Sequence, residues 1–131
     1  MSYSISDIRS SYFTASYVRS QGTTFNASIT AEGIKAMSST QVSGLTSTQI
    51  NALDSTELQA LKVEGIKTTE VAGLSTTTLN AFTAAQIPAL TTDQMIQMVD
   101  TQLNGLGSTQ LRALQVQDLN AITTTNIALL N

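Results

Sequence analysis

Leu45-Thr46-Ser47-Thr48-Gln49-Ile50-Asn51-Ala52 runs straight into Leu53-Asp54-Ser55-Thr56-Glu57-Leu58-Gln59-Ala60, one eight-residue pattern written twice. Extended in both directions, the register holds from Ile34 to Leu130. One aliphatic column contains Ile34, Val42, Ile50, Leu58 and Ile66, then Val71, Leu79, Ile87, Met95, Leu103, Leu111, Leu119 and Ile127. A second column follows three residues later, from Met37, Leu45, Leu53 and Leu61 to Leu74, Phe82, Leu90, Met98, Leu106, Leu114, Ile122 and Leu130. A third holds small residues, among them Ala36, Gly44, Ala52, Ala60, Gly73, Ala81, Ala89, Gly105 and Ala113, with Gln97 as the exception. The period breaks once, between Ile66 and Val71.

An octad is a poor continuous helix. Eight residues at about 100° each overshoot whole turns by about 80° per repeat, so an apolar stripe would wind around the rod and face no single partner. An octad is also a poor strand, because spacings of five and three place the two main columns on opposite faces of a sheet. Short capped helices fit. Thr46…Gln49 and Asp54…Glu57 have the spacing of capping boxes, and Ser38…Gln41, Thr83…Gln86, Thr91…Gln94 and Thr123…Asn126 repeat or approximate it. A helix start every eight residues leaves segments of about one and a half turns, which are stable only when stacked. The aliphatic pair of each octad would face inward, and the small column would let neighbouring backbones close up. Pro88 would break a long helix but is tolerated in the first turn of a short one. The expected fold is therefore all-α: a solenoid or superhelix of very short α or 3₁₀ helices over residues 30–131, with stability close to additive along the array.

Residues 1–29 do not follow the octad and are expected to form an N-terminal capping or docking segment. Ser4 or Ser6 could cap a helix running to about Ser20, with Gly22 as its stop and Ile5, Ile8, Tyr12 and Ala15 on one face. Five of the six aromatic residues lie here: Tyr3, Tyr12, Phe13, Tyr17 and Phe25. One reading makes them a lid on the open end of the solenoid. The other makes them a plug for the far end of a second copy, where Ile127 and Leu130 would receive them. Ends that are complementary but not identical give head-to-tail growth and open filaments.

Composition removes much chemistry. The chain of 131 residues has no His, Cys or Trp, so imidazole bases, thiol nucleophiles, disulfides and Cys/His zinc sites are absent. Six Lys+Arg and a net charge of −3 argue against nucleic-acid binding. No apolar run approaches membrane-spanning length, so no membrane insertion is expected. Met1-Ser2-Tyr3-Ser4 has no basic region followed by an apolar stretch, so no cleaved signal peptide is expected. Glu64, Lys67 and Glu70 around the phase break read as a solvated salt-bridge patch, and Asp54 and Glu57 as caps of their own octad. Gly105 and Gly107 lack the rest of a dinucleotide loop. Asn26-Ala27-Ser28 is a lone glycosylation sequon. Threonine triplets at 46–48, 76–78 and 123–125 suggest an ice-binding row, but capping already requires hydroxyls there. No catalytic, cofactor-binding or metal-binding residue is expected.

The Leu-Thr-Thr-x-Gln-Ile/Leu-x-Ala pattern, carried by Leu45–Ala52, Leu53–Ala60, Leu90–Gln97, Leu106–Ala113 and Leu114–Ala121, resembles octapeptide arrays of large bacterial secreted and surface proteins. The resemblance implies an exported, non-catalytic spacer or assembly role, at the cell surface or outside it, without a cleaved N-terminal signal; the cytoplasm is the alternative. The expected function is a structural protein that binds itself head to tail into a filament or surface layer. The alternatives are a binding module for a protein or glycan and, further off, an ice-binding protein.

Overall fold

The computed structural model describes residues 2–114. Within them the chain forms twelve short α-helices and two 3₁₀ turns, and no strand: α1 (Ile5–Ile8), α2 (Ala15–Ser20), α3 (Thr24–Ser28), α4 (Ala31–Ala36), α5 (Ser39–Val42), α6 (Ser47–Asn51), α7 (Ser55–Ala60), the turn Val63–Gly65, α8 (Thr68–Val71), α9 (Thr76–Ala81), the turn Ile87–Ala89, α10 (Thr92–Ile96), α11 (Asp100–Asn104) and α12 (Ser108–Ala113). No helix among them is long and apolar enough to cross a membrane.

Each octad starts and stops for local reasons. Ser38, Thr46, Asp54 and Thr91 accept from the backbone N–H three residues on, and Gln41, Gln49, Glu57 and Gln94 reach back to the cap's own N–H, completing capping boxes. The second-column residue closes several octads in extended geometry, as at Met37 (φ −64°, ψ 142°), Leu61 (φ −73°, ψ 137°) and Phe82 (φ −66°, ψ 144°). The chain thus turns a corner at the residue that also plugs the core. Pro88 lies in the first turn of the 3₁₀ segment Ile87–Ala89, where its missing N–H is no loss.

Three octads make one turn of the solenoid. α1, α4, α7, α9 and α11 stack as one wall; α2, α5, the two 3₁₀ turns and α12 form the second. α8 and α10 stack in the third, which hydrogen bonds extend through α6 and α3: Asn26 Nδ2 donates to the Gln49 carbonyl and Asn51 Nδ2 to that of Gly73. α4 begins at residue 31 and α7 at 55, twenty-four residues apart. α7 and α9, across the phase break, are twenty-one apart. The two aliphatic columns are buried from Ile34 to Leu106 and share one continuous core with Ile8, Phe13, Val18, Phe25 and Ile29. Leu111 departs from its column at 45% exposed. The small column permits close approach as expected: a Cβ on Gly44 would collide with the Ala15 backbone, and one on Gly73 would lie 2.5 Å from Ser47 Oγ.

The coils are stitched by glutamine. Gln94 Nε2 donates to the Val63 and Ile66 carbonyls, and Gln102 Nε2 to those of Val71 and Leu74, all at 2.7 Å. Gln86 donates to Leu58 and Leu61, Gln110 to Asn80 and Phe82, Gln49 to Val18 and Gly22, and Gln41 to Ile8 and Phe13. In each case one acceptor lies in a helix or 3₁₀ turn and the other at or next to the corner after it, about one turn of the solenoid earlier. All but Gln41 are buried, which is tolerated because the amide has both partners it needs. The truncated octad at residues 62–66 lacks a glutamine, and the Lys62 ammonium donates instead to the Lys35 and Met37 carbonyls.

The N-terminal segment differs from the single helix to about Ser20. It is helical in three pieces, α1 to α3, which form the first coil beneath α4, α5 and α6. Two hydroxyls break the run: Ser10 Oγ donates back to the Asp7 carbonyl, and Thr14 restarts a helix by accepting from the Tyr17 N–H. The face Ile5, Ile8, Tyr12, Ala15 is therefore not formed. Ile8, Phe13 and Val18 turn inward, while Ile5 and Tyr12 are exposed. Gly22, the only described residue with positive φ (54°), ends α2 as expected.

Candidate functional site

Among the described residues no coil covers the outer side of the first one, and aromatic rings fill that place. Tyr3 arrives on an extended segment pinned by its N–H to the Ser28 carbonyl at 2.6 Å. Its ring meets Phe13 edge-on (centroids 5.1 Å, 80°), Tyr17 edge-on (6.3 Å, 76°) and Phe25 at a tilt (5.9 Å). Phe13 also meets Tyr17 and Phe25. Such pairs add about 0.5–1.5 kcal/mol each beyond area burial.

Around these rings the end face is hollowed into a bowl of about 600 Å³. Tyr3, Tyr12, Phe13 and Tyr17 supply its aromatic lining, and Asp7 and Gln21 its larger polar groups. Burial and then the Tyr17 hydroxyl, 3.4 Å away, push the Tyr3 phenol up to about 12. The Asp7 carboxyl is held below its ordinary range by the Ser4 hydroxyl and backbone N–H, both bonded to Oδ2.

Of the residues singled out from sequence, Tyr3, Phe13, Tyr17 and Phe25 come together. Phe13 and Phe25 are spent on the core, whereas Tyr17 is partly exposed. Tyr12 stands on the bowl's rim, 84% exposed and outside the ring cluster. Ile127 and Leu130 lie outside the described residues, as does the triplet 123–125.

The other polar candidates are occupied by structure. Glu70 pairs with Arg19 at 2.9 Å and accepts from the Ser47 N–H, so the patch expected around Glu64, Lys67 and Glu70 is instead a staple across three coils. Burial raises the Glu70 pKa, but the Ser47 N–H and Arg19 outweigh it and leave it below the ordinary value. Asp54 and Glu57 cap α7, as read. Asn80 clamps the Gly105–Gly107 loop through the Gly105 carbonyl and the Gly107 N–H. Asn26 of the sequon is tied to Gln49, with its Oδ1 buried. Thr78 is buried against Asn51, so the triplet 76–78 presents no even row. No cluster of three or more Asp or Glu residues that could hold a metal ion occurs among the described residues.

Gln41, Gln49, Gln86 and Gln94 were legible as halves of caps, Gln102 and Gln110 were not, and the donor half of all six was missed. The available signal was the glutamine column itself: a capping box works equally well with Glu, yet Gln prevails at this position.

No curated protein and no solved structure matches the chain. A family named for the ALTTAQ repeat matches residues 27–63 and 63–99, more than half of the chain. Those six letters recur here as Ala89-Leu90-Thr91-Thr92-Asp93-Gln94, differing only at Asp93, and they contain the corner leucine, the capping threonine and the stitching glutamine. The octads, the stacked short helices and the family match agree: the chain belongs to the ALTTAQ repeat family.

Proposed function

We propose that the chain is a non-catalytic structural protein that joins copies of itself head to tail, as an extracellular filament or surface layer. The observation that carries this reading is the difference between the outer end and the inner seams. Where α5 and α6 present Gln41 and Gln49 to the coil before them, α1 and α2 present Asp7 and Tyr17. The first coil therefore offers a neighbour no glutamine stitch. It offers Tyr12, Tyr17 and Ile5, which are 84%, 36% and 42% exposed. Apolar surface on one end of a stitched rod favours heterologous, open-ended growth. The low charge of the chain lets such rods lie close together with little desolvation. Surface placement and export rest on the octad's resemblance to arrays in bacterial secreted proteins.

Sedimentation velocity and negative-stain microscopy at rising concentration test this. Linear oligomers should lengthen with concentration, and the double variant Ile5→Ser, Tyr12→Ser should remain monomeric at matched concentration. A monodisperse monomer up to about 1 mM, the scale of the weakest specific contacts, would refute it.

A further inference from the structure

We propose that the aromatic bowl of the first coil binds a neutral saccharide of one or two sugar units. Its volume of about 600 Å³ lies within the usual range for small-ligand sites. Its lining combines apolar ring surface with short polar groups at the edge, and that pattern selects a ligand with one apolar and one hydroxylated side. A pyranose is such a ligand: its C–H face lies against an aromatic ring while its hydroxyls point outward.

The polar groups available match hydroxyls better than they match charge. The hydroxyls of Ser2, Tyr12 and Ser28 line the bowl and make no hydrogen bond among the described residues. Each can both donate and accept, as a sugar hydroxyl requires. Asp7 uses Oδ2 for Ser4, leaving Oδ1 as an acceptor at the same edge. No Lys or Arg lines the bowl, so an anion would find a carboxylate and no counter-charge. A quaternary ammonium needs ring faces converging on one point. Here Tyr3 meets Phe13 and Tyr17 edge to face, so these rings occupy one another and do not converge on one point, while Tyr12, 84% exposed, keeps its ring surface free.

This inference goes beyond self-association and does not rest on it; the two are separated by measuring sugar binding at concentrations where the chain sediments as a monomer. All three tyrosines line the bowl and there is no tryptophan, so tyrosine emission reports this site alone. The full chain is titrated with cellobiose, maltose and diacetylchitobiose, and separately with tetramethylammonium chloride and sodium phosphate. A saturable emission change is expected with at least one disaccharide, with half-saturation at about 0.1–10 mM, the range open to a ligand of this size in an open site. Tyr12→Ala and Ser28→Ala should each weaken it, Tyr12→Ala by about tenfold, with circular dichroism unchanged because the Tyr12 side chain packs on almost nothing. The proposal is overturned by no saturable response to any of the three sugars up to about 50 mM, by equal affinity in Tyr12→Ala, or by tetramethylammonium or phosphate binding more tightly than every disaccharide. Loss of oligomers in Tyr12→Ala together with silence toward all three sugars would assign the bowl to a second copy of the chain instead.

Discussion

Replacing Gln94 by Glu isolates the stitching role of the octad glutamine from its capping role. The two side chains are nearly the same size, and both can accept the Thr91 N–H, 2.7 Å from Oε1. Only the amide can donate to the Val63 and Ile66 carbonyls, each 2.7 Å from Nε2. In Gln94→Glu a carboxylate oxygen would face those two carbonyls at a site 1% exposed. Two hydrogen bonds are lost at about 1 kcal/mol each, and two buried acceptors go unpaired at about 1 kcal/mol or more each, so the deficit at pH 7 is about 3–5 kcal/mol. Burial and the facing carbonyls raise the folded-state pKa of the new carboxyl above its unfolded value of about 4.3. Protonation then restores one donor, so the deficit is full above the raised folded pKa and shrinks as pH falls toward the unfolded one, to about 1–2 kcal/mol near pH 4. Urea unfolding followed by far-UV circular dichroism, each variant compared with the parent at the same pH, measures this. Gln59→Glu, on the exposed side of α7, is the control and should stay within about 0.5 kcal/mol. A Gln94→Glu deficit below about 1 kcal/mol at pH 7, or one that does not change with pH, would show that the stitch contributes no stability and would refute the reasoning.

Gly44→Ala forces a methyl group into the Ala15 backbone and should destabilise by about 2–4 kcal/mol, whereas Gly22→Ala, in open space at positive φ, should lose about 1 kcal/mol; thermal melts rank them, and equal losses would deny the close contact. The Ser47 N–H and Arg19 hold the folded Glu70 pKa below its ordinary value, so their contacts stabilise above that ordinary value and the benefit fades as pH falls through the lower folded one. Arg19→Met should remove part of this pH dependence, up to about 1 kcal/mol at a site whose arginine is 42% exposed, while the Ser47 N–H keeps the rest; an unchanged stability–pH curve would contradict it. In a spectrophotometric titration one phenol should ionise late, near 12, and Tyr3→Phe should abolish that step; its persistence would place the buried phenol elsewhere.

The octad made most of this architecture legible because its two aliphatic columns and its cap recur at the same offsets, and neither a rod nor a sheet can bury that pattern. The caps at Ser38, Thr46, Asp54 and Thr91 were readable since a capping box is local, settled within four residues. What local reading cannot reach is an interaction across twenty-five residues or more. Gln94 bonding to Val63 and Ile66 becomes visible only once three octads are known to close one turn, and nothing in a single octad fixes that number. The first coil was obscured for a different reason. Ile5, Ile8 and Tyr12 have helical spacing, but the Ser10 hydroxyl returns to the Asp7 carbonyl and ends α1 before that spacing can operate. The aromatic cluster was legible as a local excess of rings, whereas the exposure of Tyr12 and the burial of Phe13 depended on that break.

Two rules about how such an array can change in length follow from the stitching. With three octads per turn, adding one octad carries every later helix to the next wall, so exposed faces keep their alignment only when octads are gained or lost in threes. Shortening an octad is another matter. Residues 62–66 have lost three positions relative to the repeat and retain only a 3₁₀ turn, yet α9 still stacks on α7 and the turn Ile87–Ala89 on Val63–Gly65. The deletion removes a turn of helix and spares the corner, and the corner is what sets direction. What the shortened octad cannot keep is its glutamine, and the carbonyls of Lys35 and Met37 would then be left facing the seam. Lys62 answers that need from the first position of the same octad, its long side chain carrying donors back to both. The seam therefore constrains donor chemistry more tightly than it constrains residue identity or octad length. Lys62→Met, which keeps the aliphatic stem and removes the donors, should destabilise the array by about 2–3 kcal/mol, in contrast to the near-neutral result expected for an ordinary surface lysine. Hydrogen exchange should place the loss on the seam between α4 and the 3₁₀ turn Val63–Gly65, and Lys62→Gln should recover part of it. A neutral Lys62→Met would mean that the corner carbonyls need no partner, and the ladder of glutamines would then require another explanation.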